Sequence, residues 1–208
     1  TITLTAPSNN GGADSGGSSS GSDSGVSVND GGLSDSSGGD RTISNTGGSS
    51  GSAAIVQNTG NNGNVVTATL PPSVTITSSG PATAQSGDTA VNTLVNAIDA
   101  QNPTGETDVV GGARTFLNTL GSTTTLDIRT IVPTVGAGVT NDDPIVITGS
   151  TNSGQSEAFV IDMRSISGKT LQLNNIEFSS IIGNATVTGG AGNNYAVGDG
   201  SNQFISLG

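Results

Sequence analysis

The 208-residue chain contains no cysteine, no histidine and no tryptophan, and only 2% of its residues are aromatic. The absence of cysteine excludes a disulfide framework. The joint absence of histidine and cysteine excludes a Ser-His-Asp triad and a zinc site of ordinary composition. The scarcity of aromatic side chains removes the usual stacking platform for sugar rings. What remains for catalysis is mainly carboxylate chemistry.

Basic residues are also scarce. Five Lys and Arg stand against 16 Asp and Glu, which gives a net charge of -11. The five bases are scattered along the chain and cannot build a basic patch, so nucleic acid and anionic membranes are disfavoured as partners. An acidic surface attracts cations instead. No run is long enough to cross a bilayer, and we therefore expect no membrane insertion.

The first quarter of the chain differs from the rest in composition. Residues 1–7 alternate between polar and apolar side chains and end at a proline, which predicts a short N-terminal strand. Residues 8–52 form a tract rich in Gly, Ser and Asp with too few apolar side chains to offset the entropy of ordering. The default interpretation is a flexible linker. Val26, Val28 and Ile43 interrupt the tract and are able to seed short strands.

Residues 53–143 predict a β-rich body with short helices. Apolar side chains recur at helical spacing from Val91 to Ile98, with Asp88 as a candidate N-cap and Asn102-Pro103 at the end. A second, shorter helix is expected around residues 116–120, because three apolar side chains precede a glycine there.

Residues 144–208 consist of short strand candidates whose spacing tightens toward the C-terminus. This progression fits a β-solenoid or β-roll with regular later turns. A β-sandwich of about seven strands gives similar local signals. The predicted fold is therefore mainly β, with a solenoid-like C-terminal part, one or two short helices in the middle and a Gly/Ser-rich N-terminal tract; a β-sandwich is the alternative.

The most informative motif lies near the C-terminus. The sequence GGAGNNYAV at residues 189–197 matches the nonapeptide G-G-x-G-x-D-x-U-x, with Asn194 in place of Asp. The next turn, residues 198–205, repeats the G-x-G-x-N rhythm one residue early. The segment resembles the repeats-in-toxin (RTX, haemolysin-type) calcium-binding proteins over about twenty residues. The resemblance implies tight glycine turns with positive φ, and Asp, Asn and carbonyl oxygens that bind a cation.

Calcium is the cofactor that this resemblance implies, with Asp199, Asn194 and Asn202 as ligands. Two of these side chains are neutral amides, and a site with so little charge should bind weakly. The alternative is a turn that continues the coil without a cation. Asp142 and Asp143 form a second candidate cation site, since they place two carboxylates in one turn before a proline. Asp in that position is also a common turn former.

Two sets of charged residues are candidates for catalysis. Glu157 and Glu177 lie on or beside strands, and a carboxylate pair across a groove is the geometry of glycosidases. Carboxylates on strand surfaces are more often simply solvated. Two D-x-R patterns, at residues 127–129 and 162–164, place acid and base on one strand face, as in calcium-dependent polysaccharide lyases or in an ordinary surface ion pair. We predict no catalytic residues and no enzymatic activity.

The combination of Gly/Asn/Thr-rich β-structure, high acidity and RTX-like turns is typical of bacterial surface proteins. We expect an extracellular or cell-surface structural or adhesive protein, a filament, layer or matrix subunit stabilised by calcium that associates with itself. The alternative is a secreted calcium-dependent module that binds or cleaves a polysaccharide.

Overall fold

The computed structural model describes residues 25–29, 40–57, 64–102, 107–121, 123–137, 142–151, 155–166 and 169–207. Strands dominate this part of the chain and form two mixed sheets, with two helices in the middle of the sequence. The predicted mainly β fold with central helices is thus confirmed. The strand predicted for residues 1–7 lies outside the described residues.

Seven strands form the first sheet, called sheet A. In spatial order they are β1 (Val26–Asn29), β2 (Arg41–Asn45), β5 (Val74–Ser79), β6 (Thr125–Val135), β8 (Gln155–Asp162), β10 (Phe178–Ile182) and β12 (Ala196–Gly198). The pairs from β1 to β6 are antiparallel, and those from β6 to β12 are parallel. The linker interpretation of residues 8–52 is wrong where β1 and β2 lie, because these segments pair as antiparallel strands of sheet A, as the apolar residues in the tract allow.

Six strands form the second sheet, called sheet B. In spatial order they are β13 (Gln203–Ser206), β11 (Ala185–Gly189), β9 (Thr170–Asn174), β7 (Ile145–Thr148), β4 (Asn64–Leu70) and β3 (Gly51–Gln57). Those from β7 to β13 pair in parallel, and β3 and β4 complete the sheet in antiparallel fashion.

From β7 onward the chain alternates between the two sheets, one strand in each in turn. In the parallel pairs of sheet A, Thr125 lies opposite Gln155, Ala158 opposite Phe178, and Ser179 opposite Ala196. These partners are 30, 20 and 17 residues apart in the sequence. The connections therefore shorten toward the C-terminus, as the spacing of strand signals predicts. The pair of sheets is also compatible with the β-sandwich alternative.

An aliphatic layer between the sheets forms the main core. Residues that alternate along each strand face this layer, and Ile131 of β6, Ile161 of β8, and Leu171 and Leu173 of β9 all belong to the same buried cluster. All four are fully buried. β8 is buried on both faces, because helices cover its other side. Such two-sided burial is usual for strands in parallel sheets.

The two helices, α1 (Gly87–Gln101) and α2 (Thr107–Thr119), pack on the outer face of sheet A. Leu94 and Ile98 of α1 are buried there, as the helical spacing predicts. The predicted N-cap is wrong: Ser86 takes the extended cap conformation, and Asp88 lies in the first turn. A carboxylate in that turn complements the helix dipole. Neither described helix has the length and apolar character to cross a membrane.

Three aromatic rings form a row between α2 and sheet A. The ring of Phe178 lies 5.1 Å from that of Phe116 and 5.8 Å from that of Tyr195, both in stacked orientation. Phe178 is fully buried, whereas 44% of Tyr195 is exposed. Stacked pairs add to the stability that area burial gives.

We expect Phe178→Ala to destabilise the protein by about 3–5 kcal/mol, because it removes the central ring and leaves a cavity under α2. Urea denaturation measures the change. Phe204→Ala is the matched control, since Phe204 is 65% exposed; its effect should stay within about 0.5 kcal/mol. Equal losses in the two variants would contradict the assignment of Phe178 to the core.

Candidate functional site

A cluster of charged side chains is buried between the sheets at the N-terminal ends of β6 and β8. Asp127 and Glu157 are paired in register on these neighbouring strands. Glu157 is 0% exposed, Arg129 1% and Asp127 5%. Ionisable side chains are seldom fully buried unless they are paired, and such burial is a frequent feature of functional sites.

Glu157 is hydrogen-bonded to a backbone N–H at one corner of the fold and to a side-chain carboxyl group at another. The N–H of Ser150, which follows β7, donates to Glu157 Oε1 at 3.0 Å. The N–H of Glu157 donates to Oε2 of Glu177, which precedes β10, at 2.9 Å. Among the described residues, the enclosed Oε2 of Glu157 finds no hydrogen bond of good geometry. The carboxyl group of Glu177 therefore contacts the backbone of Glu157 where the chain passes from sheet B to sheet A.

The environment of Glu157 favours its neutral form. Burial raises the pKa of Glu157 to about 10; the hydrogen bonding and negative charge of Glu177 act in the same direction, and the Ser150 N–H opposes them. Asp127 adds a smaller repulsion. Loss of water around a carboxyl group and a nearby like charge both penalise the ionised form. Glu157 thus carries a proton at neutral pH.

Asp127 and Arg129 compensate one another in the same cluster. Burial raises the pKa of Asp127, and the charge of Arg129 partly offsets this effect. Burial also lowers the pKa of Arg129, whereas Asp127 and Asp40 stabilise its charge and Arg41 opposes it. Arg41 is itself buried at the start of β2. Two cations and their acidic partners therefore occupy one end of the interior.

The expectation that these carboxylates and the Asp127–Arg129 pair lie on solvated strand faces is wrong. Parallel pairing of β6, β8 and β10 places them inside the sandwich or at its edge, where Glu177 is half-buried. The apolar run that follows Glu157 is the sequence signal for burial on both faces. An enclosed Glu157 cannot contact a polysaccharide unless the surrounding strands open.

A second polar cluster lies at the opposite ends of the strands. The guanidinium of Arg164 forms an ion pair with Asp162 at 2.6 Å and a second hydrogen bond from Nε at 2.8 Å. Burial acts to raise the pKa of Asp162, but the hydrogen bonds and charge of Arg164 outweigh it and lower the pKa. Arg164 belongs to a single 3-10 turn after β8, Arg164–Ile166. It is largely exposed, so the pair contributes little to stability.

The predicted calcium ligands Asp199 and Asn194 connect neighbouring turns. Asp199 Oδ2 accepts from the N–H of Gly183 at 2.9 Å, and its Oδ1 accepts from Ser201 and Gln203. Asn194 Oδ1 accepts from the N–H of Ile176 at 3.0 Å. Each of these three side-chain oxygens thus accepts from a backbone N–H, either in its own turn or in the preceding turn of the chain. This corresponds to the alternative stated for the motif, in which the turn forms without a cation.

The other predicted ligands lie apart from this pair. Asn202 is exposed and follows the turn, while Asp142 and Asp143 are exposed before β7. Within the described residues, no group of three or more acidic side chains converges in a way that could hold a metal ion. Asp142 and Asp143 are therefore close to each other only because they are consecutive in the sequence. Calcium binding stays a prediction.

Glycine conformations agree with the turns that the motif implies. Gly192 and Gly200 have φ of 77° and 82°. This is the left-handed region that glycine enters at little cost. Positive φ is therefore confirmed at these two positions of the motif, whereas Gly189, Gly190 and Gly198 do not have it.

No protein-family model matches the chain, and neither the curated proteins nor the solved structures contain a significant match. The resemblance to RTX proteins thus stays a prediction, and functional inference rests on the geometry described above.

We expect Arg129→Met to destabilise the protein by about 3–5 kcal/mol, because it leaves Asp127 buried without its compensating cation. The midpoint of urea denaturation measures this loss. Arg114→Met is the matched control: Arg114 is exposed on α2, and its replacement should change stability by less than about 0.5 kcal/mol. A loss at Arg129 no larger than at Arg114 would show that the buried charges are not coupled.

Proposed function

We propose that the protein is an extracellular structural or adhesive subunit that associates with itself, and that its C-terminal half is a β-roll. The observation that carries the proposal is the alternation of β7 to β13 between two parallel-paired stacks. Each new strand extends an existing sheet, so this arrangement suits a rod or layer. RTX-like turns, high acidity and the lack of histidine and cysteine agree with it.

The C-terminal end of the stack supports self-association. β12 and β13 are the last described strands of sheets A and B, and both have one parallel neighbour. Ile205 and Leu207 are only partly buried at this end, and Phe204 is exposed. An unpaired strand edge accepts a strand from another chain. We therefore place the contact between copies at this end.

Residues 1–6 of a second copy are the proposed occupant. Their alternation provides Ile2 and Leu4 as anchors on one face. A segment with such alternation can add as a strand to an unpaired sheet edge.

Deletion of residues 1–7 should abolish concentration-dependent growth in particle size, measured by light scattering in calcium. Removal of seven residues from the tract at 14–20 is the control, because it shortens the tether and keeps the strand. Phe204→Lys should weaken association as well, since a charge on an edge strand opposes pairing. The strand-exchange contact is refuted if the full chain stays monomeric or if the deletion leaves its growth unchanged.

Calcium is the proposed stabilising ion. The net charge of -11 and the exposed adjacent carboxylates of Asp142 and Asp143 support a weak cation site. Asp199 contributes a further carboxylate in the C-terminal turns. Weak sites fill only at millimolar calcium, the concentration range of extracellular modules.

Thermal melting in about 5 mM calcium and in chelator tests this part of the proposal. A site with a dissociation constant near 1 mM adds about 1 kcal/mol, or a Tm gain of about 2–4 °C. Asp199→Ala and Asp142→Ala should each reduce the gain, and Asp99→Ala on the exposed side of α1 should not. Identical Tm values with calcium and with chelator would remove calcium from the proposal.

A further inference from the structure

Glu157 and the carboxyl group of Glu177 are in contact at a point where four strands are joined. Ser150 follows β7, and Glu177 lies between β9 and β10. Glu157, on β8, is hydrogen-bonded to both. The same two corners are also joined directly, since Gly149 N–H donates to the carbonyl of Asn174 at 2.9 Å. The pair therefore bridges two consecutive passages from sheet B to sheet A.

We propose that Glu157 and Glu177 share one proton and form a latch that holds these corners closed, and that loss of the proton releases them. The enclosed Oε2 of Glu157 supports this assignment. Among the described residues no group donates to this oxygen, whereas a protonated Oε2 becomes a donor toward the nearby Glu177 carboxylate. Two carboxyl groups at close range seldom ionise together, and they bind one proton strongly.

The charged groups around Glu157 all oppose its ionisation. Glu177 faces it from the start of β10 and Asp127 from β6, and both are acidic. The nearby cations are engaged elsewhere: Arg129 interacts with Asp127 and Asp40, and lies beside Arg41. On the sheet B side the group that contacts Glu157 is the neutral backbone of Ser150. An ionised Glu157 would thus be a third negative charge in a dry site.

The sign of the pH dependence follows from this arrangement. The ordinary glutamate pKa of 4.5 describes the unfolded chain, and the folded value for Glu157 is about 10. Between these values the folded state binds more protons than the unfolded state, so stability falls as pH rises. The contribution of the latch is greatest below pH 4.5 and is lost progressively up to about pH 10.

Carbon-13 NMR of the wild-type protein labelled at the glutamate side-chain carboxyls tests the proton directly. The chain has three glutamates, Glu106, Glu157 and Glu177. Glu157→Gln and Glu177→Gln assign the three signals, and either variant together with Glu106→Gln suffices if the other does not fold. One signal should keep its protonated shift above pH 8. Titration of all three signals below pH 6 would overturn the proposal.

Thermal melting between pH 5 and 9 tests the latch. Glu157→Gln keeps the shape of the protonated side chain and cannot ionise. The difference in Tm between this variant and wild type should grow by about 3–5 °C per pH unit. Asp99→Asn, on the exposed face of α1, also replaces a carboxyl group by an amide and should give a difference that does not vary with pH. A pH-independent difference for Glu157→Gln would also overturn the proposal.

Hydrogen exchange distinguishes release of the corners from a general loss of stability. After correction for the intrinsic effect of pH, amides of residues 149–151, 155–158 and 174–178 should exchange faster at pH 9 than at pH 6 in wild type and not in Glu157→Gln. Amides of β4 and β5 should not show this difference. Uniform acceleration throughout the chain would refute a local latch.

Discussion

The structure depends on the packing of aliphatic side chains between two β-sheets. With 2% aromatic residues and no cysteine, the chain has neither large rings nor cross-links to supply most of its stability. Its interior is instead a layer of Ile, Val and Leu from strands of both sheets. β-branched side chains suit such a layer, since they fit the pleated surface at little cost in rotamer freedom. The helices add a second, smaller core on one side only.

Local sequence patterns predict many, but not all, elements of this structure, since β1 and β2 lie in a tract whose composition indicates a linker. The spacing of Leu94 and Ile98 indicates a helix because three or four residues bring side chains to the same face, and both side chains are buried there. Alternation and turn residues locate most of the strands between Leu126 and Val187. The N-cap was misplaced by two residues because Ser86 and Asp88 are equally good cap types. Nothing local distinguishes them.

The buried charge cluster could not be found in the same way. Glu157 is enclosed because β8 lies between β6 and β10, and their partner residues are 30 and 20 positions away. Which strands become neighbours depends on the order of all the strands in the sheet, which a local sequence pattern does not contain. The same applies to Asp199 and Asn194, whose composition suits either a calcium ligand or a cap. Their hydrogen bonds to Gly183 and Ile176 depend on the stacking of turns that are far apart in sequence.

The alternation of parallel strands also has a consequence for cooperativity. In the C-terminal half, β8 to β11 each pair with the strand before and the strand after in their own sheet, and α2 packs against both β10 and β12. Removal of β12 and β13 would leave the other strand pairs of both sheets in place and expose β10 and β11 as new edges. It would also take from α2 one of the two strands on which it packs, so that the end of the sheets and the helix layer are coupled through this one helix.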